Sequence, residues 1–195
     1  MATSLIEENP NDHKHYEVAA EALELLGKPN DAVKQWSNAL LRTRRGSSEW
    51  IDCLISRSNA SLMIDDAQNA LLDTEKAIRS NGGYKQVVAA RDWSLVLNRC
   101  LALKKLGRAH EAHANARDVL PRIKGRQPIY YYYRACAYAI LDKKKDLLRE
   151  LRNAIRRDSY EGLRVQVDPD FADYRSDPHF RRLRGIQKRP RQRTG

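Results

Sequence analysis

The sequence predicts an all-α fold, an α-solenoid of about four helical hairpins with a short helical C-terminal cap. Two observations predict it. A group of four mostly small residues recurs four times with identical internal spacing, and two Asp-Pro pairs near the C-terminus have the pattern that begins short helices. Once these elements are assigned, no stretch retains the alternation of apolar and polar residues that predicts a β-strand.

Each recurring group has a first residue, a second residue twelve positions later, and two more residues four and seven positions after the second. Since positions three and four apart share one helical face, the last three residues predict the buried face of a second helix that packs closely on the first. The second residues of successive groups are 38, 42 and 35 positions apart. The predicted hairpin therefore has a constant length, and the linkers between hairpins vary in length. The groups are Ala20, Ala32, Trp36 and Ala39; Ser58, Ala70, Thr74 and Ala77; Cys100, Ala112, Ala116 and Val119; and Ala135, Leu147, Leu151 and Ala154.

This spacing resembles the tetratricopeptide repeat (TPR), a helix–turn–helix unit of about 34 residues. The stretches ALLDTEKAI (70–78) and LALKKLGRAHEA (101–112) carry the resemblance best, and it extends from about residue 13 to about residue 158. Membership of the TPR family implies a right-handed solenoid whose first helices line a concave, partner-binding groove.

The pattern divides the chain into seven segments. They are a partial repeat or N-terminal cap (1–12), repeat 1 (13–46), repeat 2 (51–83), repeat 3 with an extended first helix beginning near Tyr84 (84–126), repeat 4 (127–160), C-terminal capping helices (161–188) and a basic disordered tail (189–195). Leu5 and Pro10 stand where a preceding repeat would end, which predicts a piece of a longer array or multidomain protein; the alternative is a short capping turn.

The stretch VDPDFADYRSDPHFRRL (167–183) predicts two short capping helices. Asp168 and Asp177 are expected N-cap residues, and each precedes a proline suited to the first helical position. Phe171, Tyr174, Phe180 and Leu183 would form an apolar face over the last hairpin, as a terminal repeat requires. The segment resembles the ending of many bacterial TPR proteins, and the resemblance implies a bacterial origin.

Charge is unevenly spread along this basic chain. The net charge is +11, whereas residues 1–40 contain three basic and seven acidic residues. From Arg181 onward there are seven Lys or Arg and no acid. Such a field favours polyanions or acidic protein surfaces. With no signal-peptide pattern and no run of about eighteen apolar residues, we expect a cytoplasmic protein.

No pattern predicts catalysis, a cofactor or a metal site. Cys53, Cys100 and Cys136 are odd in number and far apart, so we expect small buried residues in a reducing compartment. His110 and His113 are three positions apart, but zinc needs three or four ligands. The sequence therefore predicts a protein that is not an enzyme.

The leading functional hypothesis is a protein–protein interaction scaffold or adaptor that binds a peptide or helix in the concave groove. Among the four consecutive tyrosines, Tyr130 and Tyr131 are expected to pack, and Tyr132 and Tyr133 to face the groove. An alternative is that the C-terminal cap covers part of this lining. The predicted groove residues are Ile55, Asn59, Met63, Leu97, Asn98, Leu101, Lys104, Lys105, Ile129, Tyr132 and Tyr133.

A second hypothesis is an RNA- or single-stranded-DNA-associated adaptor that uses the basic C-terminal third. Its expected polyanion-binding residues are Lys143, Lys144, Lys145, Arg149, Arg152, Arg156, Arg157, Lys188 and Arg189. A weaker hypothesis is a regulatory segment of a larger multidomain protein. The sequence does not identify the partner or the oligomeric state.

Overall fold

The computed structural model describes residues 9–183, with the side chains of residues 159–161 left out. Over this range the chain is all-helical and contains no strand. The α-helices are α1 (His13–Leu25), α2 (Pro29–Arg42), α3 (Ser48–Met63), α4 (Ala67–Ser80), α5 (Tyr84–Ala90), α6 (Trp93–Lys105), α7 (Ala109–Val119), α8 (Pro128–Ile140), α9 (Lys144–Arg157), α10 (Ser159–Val167) and α11 (Pro178–Leu183). Two 3-10 helices cover Leu120–Arg122 and Pro169–Tyr174.

The chain forms two compact units, residues 1–115 and 116–195. In the first unit α1 packs on α2 and α3 on α4, while α2 also packs on α3 and α4 on α6. In the second unit α8 packs on α9, the 3-10 helix Pro169–Tyr174 packs on α8, and α11 packs on α9. Because the paired helices are joined by turns of a few residues, each pair is antiparallel.

The structure buries the residues of the recurring groups, as their spacing predicted. All sixteen residues of the four recurring groups are buried, and the most exposed of them, Trp36, is only 4% exposed. Small residues in the first and second helices therefore let the paired backbones approach closely.

A further position repeats in all four hairpins. The residue five positions before each group's second member has a positive φ, at Gly27 (70°), Asp65 (62°), Gly107 (79°) and Asp142 (57°). This left-handed residue ends the first helix, and the next residue's N–H then bonds back to a carbonyl of the last turn, as Lys28 does to Leu23. Glycine adopts this conformation without strain and Asp tolerates it.

The prediction of one extended first helix in repeat 3 is wrong. The stretch forms two helices, because Arg91 adopts a left-handed conformation (φ 62°) and ends α5. Asp92 then caps α6, accepting a hydrogen bond from the Leu95 N–H at 3.2 Å. The N-cap carboxylate fixes a new helix start at Trp93.

Both predicted capping starts are confirmed. The Asp168 side chain accepts from the Asp170 N–H at 2.8 Å, and the Asp177 side chain accepts from the His179 N–H at 2.8 Å. Helix α10, which the sequence pattern did not predict, precedes them. Of the expected apolar face, Phe171, Phe180 and Leu183 are buried, and Tyr174 is half-buried.

Three sequence predictions fall outside the described residues: most of the partial N-terminal repeat, the basic tail, and the polyanion-binding role of Lys188 and Arg189. Among the helices of residues 9–183, none has both the length and the apolar character that crossing a bilayer requires.

Candidate binding surfaces

The first helices of the first unit lie side by side as a single layer. The Cys53 thiol of α3 donates a hydrogen bond to Glu17 Oε1 of α1 at 3.3 Å. Nearly two helical turns further on, Asn59 Nδ2 donates to Glu24 Oε2 at 3.5 Å. These contacts join α1 to α3 along more than one turn of each helix.

A third helix extends this layer. Asn98 Nδ2 of α6 donates to the Ile55 carbonyl at 3.2 Å and to Ser58 Oγ at 3.0 Å, both on α3. At the far end, Lys105 Nζ pairs with the Asp65 carboxylate at 2.6 Å. Helices α1, α3 and α6 therefore present a shared surface on the side away from their second helices.

We call the α1 and α3 part of this surface the inner face. On α1 its residues recur three or four positions apart and are all exposed, with Val18 at 51% and Leu25 at 46%. On α3, Asp52 is exposed and Met63 is half-buried. The inner face consists of Lys14, Val18, Glu21, Leu25, Asp52, Ser56, Asn59 and Met63.

The inner face has acidic character as well as apolar side chains. Glu21 and Asp52 lie on it, and Glu17 lies beside it at the α1–α3 contact. Partial burial, together with the negative charge of Glu49, raises the pKa of the Asp52 carboxyl. An approaching cation would relieve this repulsion.

Three predicted groove residues are buried and are therefore wrong as free contact residues. Leu97 is 1% exposed, Leu101 is 7% exposed and Tyr132 is 1% exposed. The other predicted groove residues stay at least partly accessible, although Asn98 and Lys105 are engaged in the contacts described above. Lys105 is exposed. The half-buried residues are Ile55, Asn59, Met63, Asn98, Lys104, Ile129 and Tyr133.

Tyr132 is covered by the C-terminal cap. Its hydroxyl donates a hydrogen bond to the Asp168 carboxylate, and the Phe171 ring packs edge-on against it with centroids 5.7 Å apart. The Arg164 guanidinium lies 4.2 Å from its ring centroid. The expected alternative, in which the cap covers part of the aromatic lining, is confirmed at this residue.

The first two tyrosines of the run have packing roles, as expected. The guanidinium carbons of Arg134 and Arg157 each lie 4.4 Å from the Tyr131 ring centroid, so a residue of α9 contacts Tyr131. Tyr130 lies against Gly125, where a Cβ would stand only 2.3 Å from Tyr130 Cδ2. The four tyrosines thus fan around α8 into different surroundings.

Sequence reasoning missed an arginine that directly precedes the first residue of three groups. Arg57 makes a bidentate pair with Asp73, at 2.7 and 2.8 Å. Arg134 pairs with Glu150 at 2.8 Å, across the same sixteen-residue separation. The recurring arginine is visible in the stretches SRSNA, NRCLA and YRACA. A search that considers only small residues does not detect it.

Two of these arginines also link successive hairpins. Arg57 Nη1 donates to Ser37 Oγ at 3.1 Å, and Arg99 Nε donates to Glu75 Oε1 at 2.6 Å. Ser37 and Glu75 each directly follow the third residue of the preceding group. Arg99 reaches its own hairpin as well, through Glu111 at 2.8 Å.

The second unit contains a basic cleft with a volume of about 630 Å³, formed by α9 and α11. It brings together four of the predicted polyanion-binding residues. Its lining is Lys144, Lys145, Leu148, Arg149, Arg152 and His179. Of the other predicted residues, Lys143 and Arg156 are exposed on or next to α9, and Arg157 stacks on Tyr131.

Half of the lining cations are already paired. Lys144 forms an ion pair with Asp177, and Arg149 pairs with Asp146 at 2.5 Å and with Glu150 at 3.1 Å. Lys145 and Arg152 are exposed and have no acidic partner within ion-pair distance among the described side chains. The cleft therefore offers two uncompensated positive charges.

The cysteines have the packing role expected of them. All three are buried, and none of them is in a disulfide. Burial raises the pKa of the Cys53 thiol to about 12, and the Glu17 hydrogen bond adds to the effect. Burial and the nearby Asp170 charge also raise the pKa of Cys136. Such thiols stay protonated and are poor nucleophiles.

Comparisons with family models, curated proteins and solved structures found no match for this chain. Within residues 9–183, no cluster of three or more His, Cys, Asp or Glu could hold a metal ion.

Proposed function

We propose that this chain is a non-catalytic protein–protein interaction module. In this proposal the helix pairs are four TPR-like hairpins of a right-handed solenoid, and the protein acts as a cytoplasmic scaffold or adaptor. The hydrogen-bonded layer of α1, α3 and α6 carries the proposal, because it presents a surface of exposed apolar side chains that no described segment of the first unit covers.

The inner face is proposed as the binding site, and its chemistry indicates the partner. Val18 and Leu25 offer apolar contacts one turn or more apart on α1, and Met63 offers another on α3. Glu21 and Asp52 surround them with negative charge. The matching partner is a peptide or helix with apolar side chains on one side and Lys or Arg beside them.

To test this, the full-length protein is used to select binders from a displayed library of amphipathic peptides. The selected peptides should be enriched in apolar residues flanked by Lys or Arg. Val18→Glu combined with Leu25→Glu should weaken their binding by at least tenfold, since two apolar contacts would be lost and two carboxylates would have to be desolvated in their place.

The matched control is Leu41→Glu combined with Leu72→Glu. Leu41 on α2 and Leu72 on α4 are exposed leucines on second helices, at 81% and 45%. Because both double variants add two negative charges at exposed sites, nonspecific attraction of the Lys- or Arg-bearing peptides would strengthen binding to both variants equally. Equal weakening, or unchanged binding by the inner-face variant, would refute the proposed site.

A further inference from the structure

All of the net charge of the chain lies in the second unit. Residues 1–115 contain fifteen Lys or Arg and fifteen Asp or Glu, for a net charge of zero. Residues 116–195 contain twenty-one Lys or Arg and ten Asp or Glu, and the difference is the full +11. A polyanion near this protein would therefore be drawn to the second unit.

Within this unit, four exposed cations form a line along α9. Lys145, Arg149, Arg152 and Arg156 stand at i, i+4, i+7 and i+11, which places them on one helical face over about 16 Å. The buried residues of α9, Leu147, Leu151 and Ala154 among them, occupy the opposite face. The line therefore faces away from the core of the unit.

The cleft lies along part of this line. Lys145, Arg149 and Arg152 line it, and Arg156 continues the line one turn beyond it. Lys145, Arg152 and Arg156 make no ion pair with any described acid, so their charges are available to a ligand. A linear array of cations that extends past one cleft matches a linear polyanion better than a single compact anion.

The cleft also offers a flat ring and an apolar side chain. His179 of α11 is exposed, Leu148 of α9 is half-buried, and both line the cleft together with the α9 cations. Proteins that bind unpaired nucleotides combine a basic groove that follows the phosphates with flat side chains, including His, on which bases stack.

We propose that the cleft formed by α9 and α11, with the cation line that continues from it, binds single-stranded nucleic acid. Lys145, Arg152 and Arg156 contact successive phosphates, and His179 stacks on one base. Arg149 and Lys144, held by their acidic partners, shape the cleft and add to its field. This site is separate in residues and chemistry from the inner face of the first unit.

The test measures the binding of the full-length protein to a fluorescein-labelled oligouridylate, by anisotropy, across a salt series. Lys145→Gln with Arg152→Gln removes two phosphate contacts and leaves the Lys144 and Arg149 ion pairs intact. The plot of the logarithm of the association constant against the logarithm of the salt concentration has a negative slope. This slope should become about 1.4 less steep, because each phosphate contact with a single strand contributes about 0.7 to its magnitude. At about 0.1 M salt this corresponds to roughly 25-fold weaker binding.

The control variant is Arg79→Gln with Lys85→Gln, which removes the same charge from exposed positions of the first unit. Its affinity should stay within about twofold of the unmodified protein. The basic tail is present in every variant and adds a constant background. Equal slopes for the two double variants would overturn the proposal, because binding would then follow total charge and not the cleft.

Two further measurements distinguish nucleic acid from other anions. His179→Ala should weaken oligouridylate binding about fivefold, and His179→Tyr should restore it, because the restored ring can stack. Polyglutamate at equal charge should compete poorly, since it has no bases. If polyglutamate competes as well as unlabelled oligouridylate, the site binds acidic polypeptides and the nucleic-acid proposal is wrong.

Discussion

The two units use the same repeat position in different ways. In the first unit, Arg57 and Arg99 each bond to an acid of their own hairpin and to an acceptor on the preceding hairpin. In the second, Arg134 Nε donates to Glu150, and Arg134 Nη1 donates to the carbonyls of Ile123 and Gly125.

The sequence explains why Arg134 differs. The residues that accept from Arg57 and Arg99 on preceding hairpins are Ser37 and Glu75, and the equivalent residue before Arg134 is Arg117. A guanidinium cannot accept a hydrogen bond, so the bridge cannot be repeated. In the first unit two arginines thus join successive hairpins, and the net charge is zero. In the second unit Arg134 makes no such link among the described residues, and the net charge is +11.

Core packing in the second unit depends on aromatic residues of the cap. Phe171→Ala should lower the free energy of unfolding by about 4 kcal/mol, because Phe171 is fully buried against Tyr132 and Phe180. Urea unfolding followed by circular dichroism measures it. Leu163→Ala, at a residue 57% exposed on α10, should cost less than about 0.5 kcal/mol. Similar losses of unfolding free energy for both variants would mean that the cap does not pack against α8.

Arg57 stabilises its own hairpin through the ion pair with Asp73 and contacts the preceding hairpin through Ser37. Arg57→Gln should lower the free energy of unfolding by about 3 kcal/mol, because it leaves the buried Asp73 carboxylate with only the half-exposed Lys76, at 4.0 Å, as a counter-charge. The Arg122–Asp118 pair, with side chains 56% and 45% exposed, is the comparison, and Arg122→Gln should cost less than about 1 kcal/mol. If urea unfolding gives the same loss of unfolding free energy for both variants, the contacts of Arg57 do not stabilise the fold.

The second unit should also respond to pH through a buried carboxyl. Burial, followed by the charge of Asp168, raises the pKa of Asp170 well above the ordinary value of 3.8, and its Oδ1 has no hydrogen-bond partner among the described residues. Because the folded state holds the proton more tightly, this group's stabilisation is present at low pH. It is lost as pH rises from 3.8 through the folded pKa.

Asp170→Asn removes this titration. Relative to the unmodified protein, the variant should gain stability as pH rises above about 4, by at most about 1.4 kcal/mol per pH unit. Thermal unfolding at several pH values measures the difference. A difference in stability between the variant and the unmodified protein that stays constant with pH would contradict this prediction. It would show that Asp170 ionises in the folded state as readily as in the unfolded state.

The last prediction concerns the loop before α8. Gly125→Ala should cost about 2 kcal/mol, since Gly125 has φ 142° and an added Cβ would meet the Tyr130 ring. Gly46→Ala, at φ 82° with open space around it, should cost about 1 kcal/mol from backbone strain alone. Equal costs would show that Tyr130 moves away freely.

Residues with a fixed spacing were predictable. The sixteen group residues and the Asp168 and Asp177 caps are set by local helix geometry, which sequence periodicity reports directly. The break at Arg91 was harder, because neither Gly nor Pro marks it, although Asp92 is an N-cap residue type. A left-handed Arg conformation depends on the packing of both flanking helices.

Burial of the groove residues could not be predicted in the same way. The orientation of Tyr132 away from its hairpin was inferred, but its burial depends on the path of residues 158–174, which returns Phe171 and Asp168 to its ring. The basic cleft likewise needs His179 beside α9, some thirty residues along the chain. Such long-range contacts leave no local pattern.

Hydrogen–deuterium exchange of the full-length protein, with and without a selected basic-apolar peptide, tests the central claim most directly. The account predicts slower amide exchange in α1 (His13–Leu25) and α3 (Ser48–Met63), with α2 and α4 less affected. Protection confined to α9 and α11, or no change in α1 and α3 at saturating peptide, would contradict it.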